Sequence, residues 1–318
     1  MEQRQLGRLG GVSALALGGG GIGAVWGPTS RDEAVATVRE AVASGVTLLD
    51  MAPSYGDGEA ERVIGDAFEG VLPAGVRVTT KHRLGDVPAA EVYGRLVESL
   101  DGSLARMRLE RVDVFILHSA IVRDDEGDER GTPVSLFREA ARPAFERLVA
   151  AGRVGAWGIT GIGRPSVVRS VLLESPRPAV VQCIANLLDS AGALHRFDEP
   201  LSPRETIGIA SREAVGVMGI RAVQAGALTD AFDRDLPEGH RDRADYERAA
   251  PFRALASELG TGAAHLAHRY ALSIAGVDTV VLGVKNRDEL RDCLAAEAAG
   301  PLDAELIARI DAAVARRE

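Results

Sequence analysis

Short, mostly apolar runs recur along this chain at residues 14–17, 46–49, 76–80, 112–117, 154–159, 179–184, 216–220 and 279–282. Runs of this length, bounded by turn residues, predict buried strands. Between them lie segments with helical patterns at 59–69, 88–107, 133–151 and 165–173, with a weaker one at 203–214. One or two helices are expected over 249–275, broken near 260–262, and final helices from Arg287 and Asp303. Ser30, followed by Asp32 and Glu33, has the signature of an N-cap with acidic residues in the first turn. Residues 5–13 alternate around LGRLGG and predict a small hairpin ahead of the main fold. The polar stretch 230–245 has little apolar content and reads as a long surface loop. No repeat, low-complexity tract or linker divides the chain. Eight strand–helix units in one undivided chain predict an α/β fold: a closed (β/α)8 TIM-type barrel with a short N-terminal β-hairpin, one domain over 1–318.

Composition narrows the class. Apolar residues make up 46% of the chain but aromatic ones only 4%, so the core is expected to consist of Ala, Val, Leu and Ile. A formal charge of −9 argues against a general nucleic-acid binder, whose affinity comes from cationic side chains. Cys183 and Cys293 show no CxxC spacing and are expected as reduced core residues. The N-terminal stretch lacks an apolar signal core, and no apolar run approaches the span of a bilayer. A cytoplasmic protein without membrane or nucleic-acid partners is expected.

The first strand runs into GGGGIG, where Gly18, Gly20 and Gly23 satisfy G-x-G-x-x-G, and Asp50 ends the second strand where a dinucleotide fold would hold a ribose. Trp26, Gly27, Pro28, Thr29 and Ser30 separate these glycines from the next helix, however, and Asp32 and Glu33 occupy the turn that a pyrophosphate would need. The barrel is therefore preferred to a doubly wound dehydrogenase fold. In a barrel, strand carboxyl ends collect chemistry. Asp50 and Tyr55 follow the second strand, Lys81 the third and His118 the fourth, so the four are expected to converge. An ammonium beside a phenol stabilises the phenolate, a carboxylate orients the ammonium, and an imidazole can hydrogen-bond a carbonyl oxygen. Such a group moves protons but supplies no electrons. Reduction would require a hydride donor, for which a nicotinamide cofactor is the usual choice.

Over nearly its whole length the sequence resembles the aldo-keto reductase family. The resemblance lies in LGRLGGVSALALGGGGIG, GVTLLDMAPSYGDGEAE, VTTKH, SLARMRLERVDVFILHS, LVAAGRVGAWGIT, VVQCIANLL, QAGALT and LGVKNRDEL. It implies an oxidoreductase that transfers hydride between NAD(P)(H) and an aldehyde, ketone or sugar carbonyl. Tyr55 would be the general acid/base, with Asp50, Lys81 and His118 completing a tetrad. Cofactor contacts are implied for Thr160, Gln182, Arg221, Gly283, Lys285, Glu289 and Asp292. The departures are Gly161 where the family writes Asn, Ile220 and Arg221 where it often places a stacking tyrosine, and Cys293 in place of Asn. Lys285 suits a 2′-phosphate, whereas Glu289 and Asp292 oppose one; NADPH is favoured over NADH because the family uses it. Trp26 is a candidate for the substrate mouth. His265 and His268 lack the companions of a metal site, and no metal is expected. The alternative function is a cofactor-binding sensor with little turnover. Which small carbonyl or alcohol is the substrate, the direction of reaction and the oligomeric state are left open.

Overall fold

The computed structural model describes residues 1–230, 232 and 234–315. Its eight parallel strands are β1 (Leu15–Gly18), β2 (Leu48–Asp50), β3 (Arg77–His82), β4 (Val112–Leu117), β5 (Val154–Thr160), β6 (Val180–Ile184), β7 (Gly216–Ile220) and β8 (Thr279–Leu282). Each pairs with its neighbours in chain order, and β8 returns to β1 with Val280 opposite Leu15, closing the barrel. Closure explains why the strands are nearly all buried residues: one face meets the barrel interior and the other the helices.

The predicted hairpin is Gln3–Gln5 paired antiparallel with Gly11–Ser13. Leu6, on its connecting turn, is buried with Val12, Ala16, Leu48, Val114, Ile116, Val180 and Met218 and plugs the amino-terminal end of the barrel. Outside, helices pack aliphatic stripes on the strands. Helix Glu59–Phe68 also brings a fully buried carboxylate, Glu61, which accepts from the Thr80 hydroxyl at 2.6 Å and from Arg106 Nε at 2.6 Å. That arrangement ties β3 to the helices on either side of it.

Three expectations change. A helical turn does form within the glycine run, at Gly19–Ile22, but it stops at Gly23; the long helix, Arg31–Ala43, starts where Ser30 accepts from the Glu33 amide at 3.2 Å. The segment predicted as one helix over 133–151 is Val134–Leu136, a π turn at Phe137–Ala141 and Arg142–Ala150. Pro143 has no N–H to continue the α ladder, and the ladder widens just before it. The stretch 230–245 is not all loop: helix Arg241–Arg248 begins inside it, with Asp242 and Asp245 buried. Positions 231 and 233 of that stretch lie outside the described residues. A helix whose inward face is two aspartates has no hydrophobic period to reveal it.

Candidate active site

Asp50 is the last residue of β2, opposite Thr79 of β3. The chain then turns sharply: the Tyr55 amide donates to the Ala52 carbonyl at 3.1 Å and the Gly58 amide to Pro53 at 2.7 Å, with Gly56 and Gly58 in left-handed backbone at φ +65° and +79°. Residues with a Cβ resist that conformation. This loop folds Tyr55 back over the strand ends. Strand alternation puts Thr79 and Lys81 on the inward face of β3 and Thr80 on the outward one. His118 follows β4, its amide donating to the His82 carbonyl at 2.7 Å.

The four residues expected to converge are together. Lys81 Nζ lies 2.9 Å from Asp50 Oδ2, 3.2 Å from the Tyr55 hydroxyl and 2.8 Å from the Met51 carbonyl. The Tyr55 and His118 rings meet edge to face with centroids 5.9 Å apart. Asp50 Oδ1 accepts from the Thr79 hydroxyl at 2.7 Å and from Gln182 Nε2 at 2.9 Å. Both members of the ion pair are inaccessible, Lys81 at 0% and Asp50 at 2% exposure.

Burial opposes the Lys81 charge, but Asp50 and Tyr55 outweigh it and hold the ammonium above its ordinary range. For Tyr55 burial is the larger influence. It pushes the phenol up against the opposing pull of Lys81, so the hydroxyl is kept protonated rather than poised to ionise, contrary to the lowering expected from an adjacent ammonium alone. Burial, with Lys81 and Arg83 adding repulsion, takes His118 well below its usual value. Its imidazole is neutral at pH 7 and has one donor and one acceptor nitrogen.

Thr160 ends β5 directly opposite Gln182 of β6. The Thr160 hydroxyl accepts from the Ile162 amide at 3.3 Å. A Cβ on Gly161 would stand 2.7 Å from the Gln182 carbonyl, so an asparagine there would have to displace β6. Gln182 thus touches Asp50, and Thr160 stands opposite Gln182 on the neighbouring strand. Arg221 adopts left-handed backbone at φ +60° just past β7. Its guanidinium is turned to Gln224 Oε1 at 2.9 Å and Asp242 Oδ1 at 3.3 Å. Gly283, Lys285, Glu289 and Asp292 lie after β8, where Lys285 Nζ is 2.6 Å from Glu289 Oε1. Trp26 is 42% exposed above the glycine run, near where Cβ atoms on Gly20 and Gly283 would be.

Several groups at the site go beyond those expected from the sequence. Thr79 buttresses Asp50. Arg83 is exposed two residues beyond Lys81 and acts electrostatically on both Tyr55 and His118. Gln224, fully buried, donates to Asp245 at 2.6 Å and accepts from Arg221. A strand-end rule identifies Arg83 only by its closeness to Lys81, and nothing local marks the others. His268 is buried with its Nδ1 2.8 Å from the Ala264 carbonyl and its Nε2 3.6 Å from Cys293 Sγ. Among the described residues no group of three His, Cys, Asp or Glu is placed to hold a metal, and no helix is long and apolar enough to cross a membrane.

A parallel barrel that uses a buried ammonium to position a phenol at the carboxyl ends of its strands is equipped for carbonyl oxidoreduction. Residues 14–315 match the model of the aldo/keto reductase family, and the chain belongs to that family. It is 27% identical to L-galactose dehydrogenase of Arabidopsis thaliana, covering 98% of this chain and 94% of that protein. Pyridoxal 4-dehydrogenase of Microbacterium luteolum is 26% identical, with 91% of each chain covered. Among solved structures, an aldo-keto reductase from Bacillus halodurans in its holo form superposes with a TM-score of 0.73 at 24% identity, covering 100% of this chain and 97% of that one. An aldo/keto reductase from Klebsiella pneumoniae in complex with NADP and acetate gives 0.70 at 21%, covering 99% and 96%. The relatives are named as dehydrogenases and reductases, and the chain is a carbonyl oxidoreductase.

Proposed function

We propose that the chain, acting as one barrel unit over 1–318, oxidises a small alcohol or lactol or reduces the matching aldehyde, ketone or sugar carbonyl, with Tyr55 as the proton-transfer group. The observation that carries this reading is the 3.2 Å contact between Lys81 Nζ and the Tyr55 hydroxyl, with Lys81 anchored to Asp50 in a buried pair. Relatives named for L-galactose and pyridoxal, matched over almost their full length, support a polar substrate of modest size.

In the reductive direction the Tyr55 hydroxyl gives its proton to the oxygen of the carbonyl as that oxygen gains negative charge. Lys81 stabilises the phenolate left behind, and Asp50 keeps Lys81 charged and aimed. Neutral His118 donates one hydrogen bond to the same oxygen, orienting the carbonyl in the pocket. In the oxidative direction the phenolate form takes the proton back. A bound nicotinamide dinucleotide supplies or accepts the hydride. Thr160 and the carbonyl end of Gln182 are the groups proposed to hold its carboxamide, and the segment from Gly283 to Asp292 its adenosine. Trp26 is proposed to border the substrate entrance.

The test is a fluorescence titration with NADH and NADPH, followed by turnover on a panel of small aldehydes and sugars, for the wild type and Tyr55→Phe. Saturable binding by both proteins, with turnover reduced by about two to four orders of magnitude in the variant, is expected. Full activity in Tyr55→Phe would overturn the assignment. Tight binding by the wild type without turnover on any carbonyl or alcohol would favour the sensor instead.

A further inference from the structure

After β8 the chain runs through Lys285 and Asn286 into helix Arg287–Ala298. In eight-stranded barrels phosphate groups are frequently held by the loops after the last strands and a helix N-terminus beside them, because free amides and the helix dipole attract anions. Here those attractions are met from within the chain. Asn286 Oδ1 accepts from the Glu289 amide at 2.9 Å. The Arg287 amide donates to Glu33 Oε1 at 3.0 Å, and the Arg287 guanidinium grips the same carboxylate at 3.1 and 2.9 Å. Arg291 holds Glu40 at 2.7 and 3.0 Å and Asp288 at 3.1 Å.

Lys285 is enclosed most completely. Its ammonium lies 2.6 Å from Glu289 Oε1 and its amide donates to Glu289 Oε2 at 2.8 Å, so both oxygens of one carboxylate serve one lysine. With Asp292 on the same helix, Asp288, Glu289 and Asp292 match Lys285, Arg287 and Arg291 one for one, so the segment from Gly283 to Asp292 carries no net positive charge.

We propose that this end of the site takes the free ribose of NAD(H) and discriminates against the 2′-phosphate of NADP(H), and that Glu289 decides the choice. The inference rests on the reading that the barrel binds a nicotinamide dinucleotide through this segment. A 2′-phosphate brings between one and two negative charges. To bind one, Lys285 must leave Glu289, and the carboxylate so uncovered stays within a helical turn of the phosphate. A 2′-hydroxyl meets no such repulsion and can donate to Glu289. The lysine that suits a 2′-phosphate by its position in the sequence is thus paired with a carboxylate four residues further on.

Equilibrium titrations of the purified protein with NADH and NADPH, at one fixed ionic strength, test this. The wild type should bind NADH at least about tenfold more tightly than NADPH. Glu289→Gln keeps the side chain's size but frees the lysine; it should tighten NADPH and not NADH, moving their ratio by about tenfold towards NADPH. Adding Lys285→Met to Glu289→Gln should remove that gain, which a merely structural effect of the first change would not predict. Circular dichroism checks that the variants are folded. NADPH binding as tight as NADH in the wild type, or a ratio unmoved by Glu289→Gln, would overturn the proposal. Failure of the wild type to bind either nucleotide would overturn the dinucleotide reading itself.

Discussion

Lys81 makes the heaviest demand on its surroundings. An ammonium at 0% exposure is tolerable only because Asp50, Met51 and Tyr55 supply a counter-charge and two further oxygens. Lys81→Met should therefore abolish turnover and also strand Asp50, with Thr79 and Gln182 as its remaining hydrogen bonds. Denaturant unfolding is expected to show a loss of roughly 3–5 kcal/mol. Tyr55→Phe removes one hydroxyl from a half-buried ring and should cost no more than about 1 kcal/mol in the same assay. Equal losses in the two variants would contradict the assigned geometry. The identities of Asp50, Tyr55, Lys81 and His118 were legible in the sequence because each stands at the end of an apolar run or on the loop after it. The acidity of Tyr55 was not, because proximity to Lys81 and burial act in opposite directions and only packing determines which is larger.

At the scale of elements, the glycine run shows how spacing misleads. Cβ atoms on Gly18 and Gly21 would overlap the Leu282 and Val284 carbonyls. These glycines let β1 and its following turn lie directly against the end of β8; they are explained by backbone packing rather than by a phosphate. Gly21→Ala should destabilise the protein by roughly 1–3 kcal/mol, read as a lowered thermal midpoint. Gly11→Ala, where nothing lies within 4 Å of the added methyl, should stay within about 0.5 kcal/mol of the wild type. Strands and most helices were readable because their buried faces repeat with a local period. Helix Arg241–Arg248 was not, because its inward residues are Asp242 and Asp245. They become acceptable inside only when Arg221, Arg234, Ser190 and Gln224 arrive from other parts of the fold.

For the whole molecule, buried titratable groups set the pH range of stability. His82 is lowered to about 4 by burial and then by Arg95; His118 and His268 are also lowered, chiefly by burial. The unfolded chain binds protons at these histidines near pH 6.5 while the folded one resists. The stability present above 6.5 is lost as the pH falls from there towards 4, with His82 alone accounting for roughly 3 kcal/mol. Tyr55 and Lys81 are raised, so their contribution is complete below about pH 10 and declines above it, as the unfolded chain gives up those protons first. Unfolding free energies measured across pH should form a plateau between about 7 and 9, with losses on both sides. Unchanged stability at pH 5 would show that these histidines are not held neutral by the fold.

By itself the sequence determined the eight-unit order, the strand ends and therefore the company Asp50, Tyr55, Lys81 and His118 would keep. These follow from periodicity, a property of neighbouring residues along the chain. Only the tertiary structure decided which charges are neutralised and which groups lose water. Arg287 meets Glu33 across 254 positions, Gln182 reaches Asp50 across 132, and a side chain at Gly161 would meet the Gln182 carbonyl at 2.7 Å and have to displace β6. Ion pairing and desolvation depend on what packs in from elsewhere, which no local pattern records.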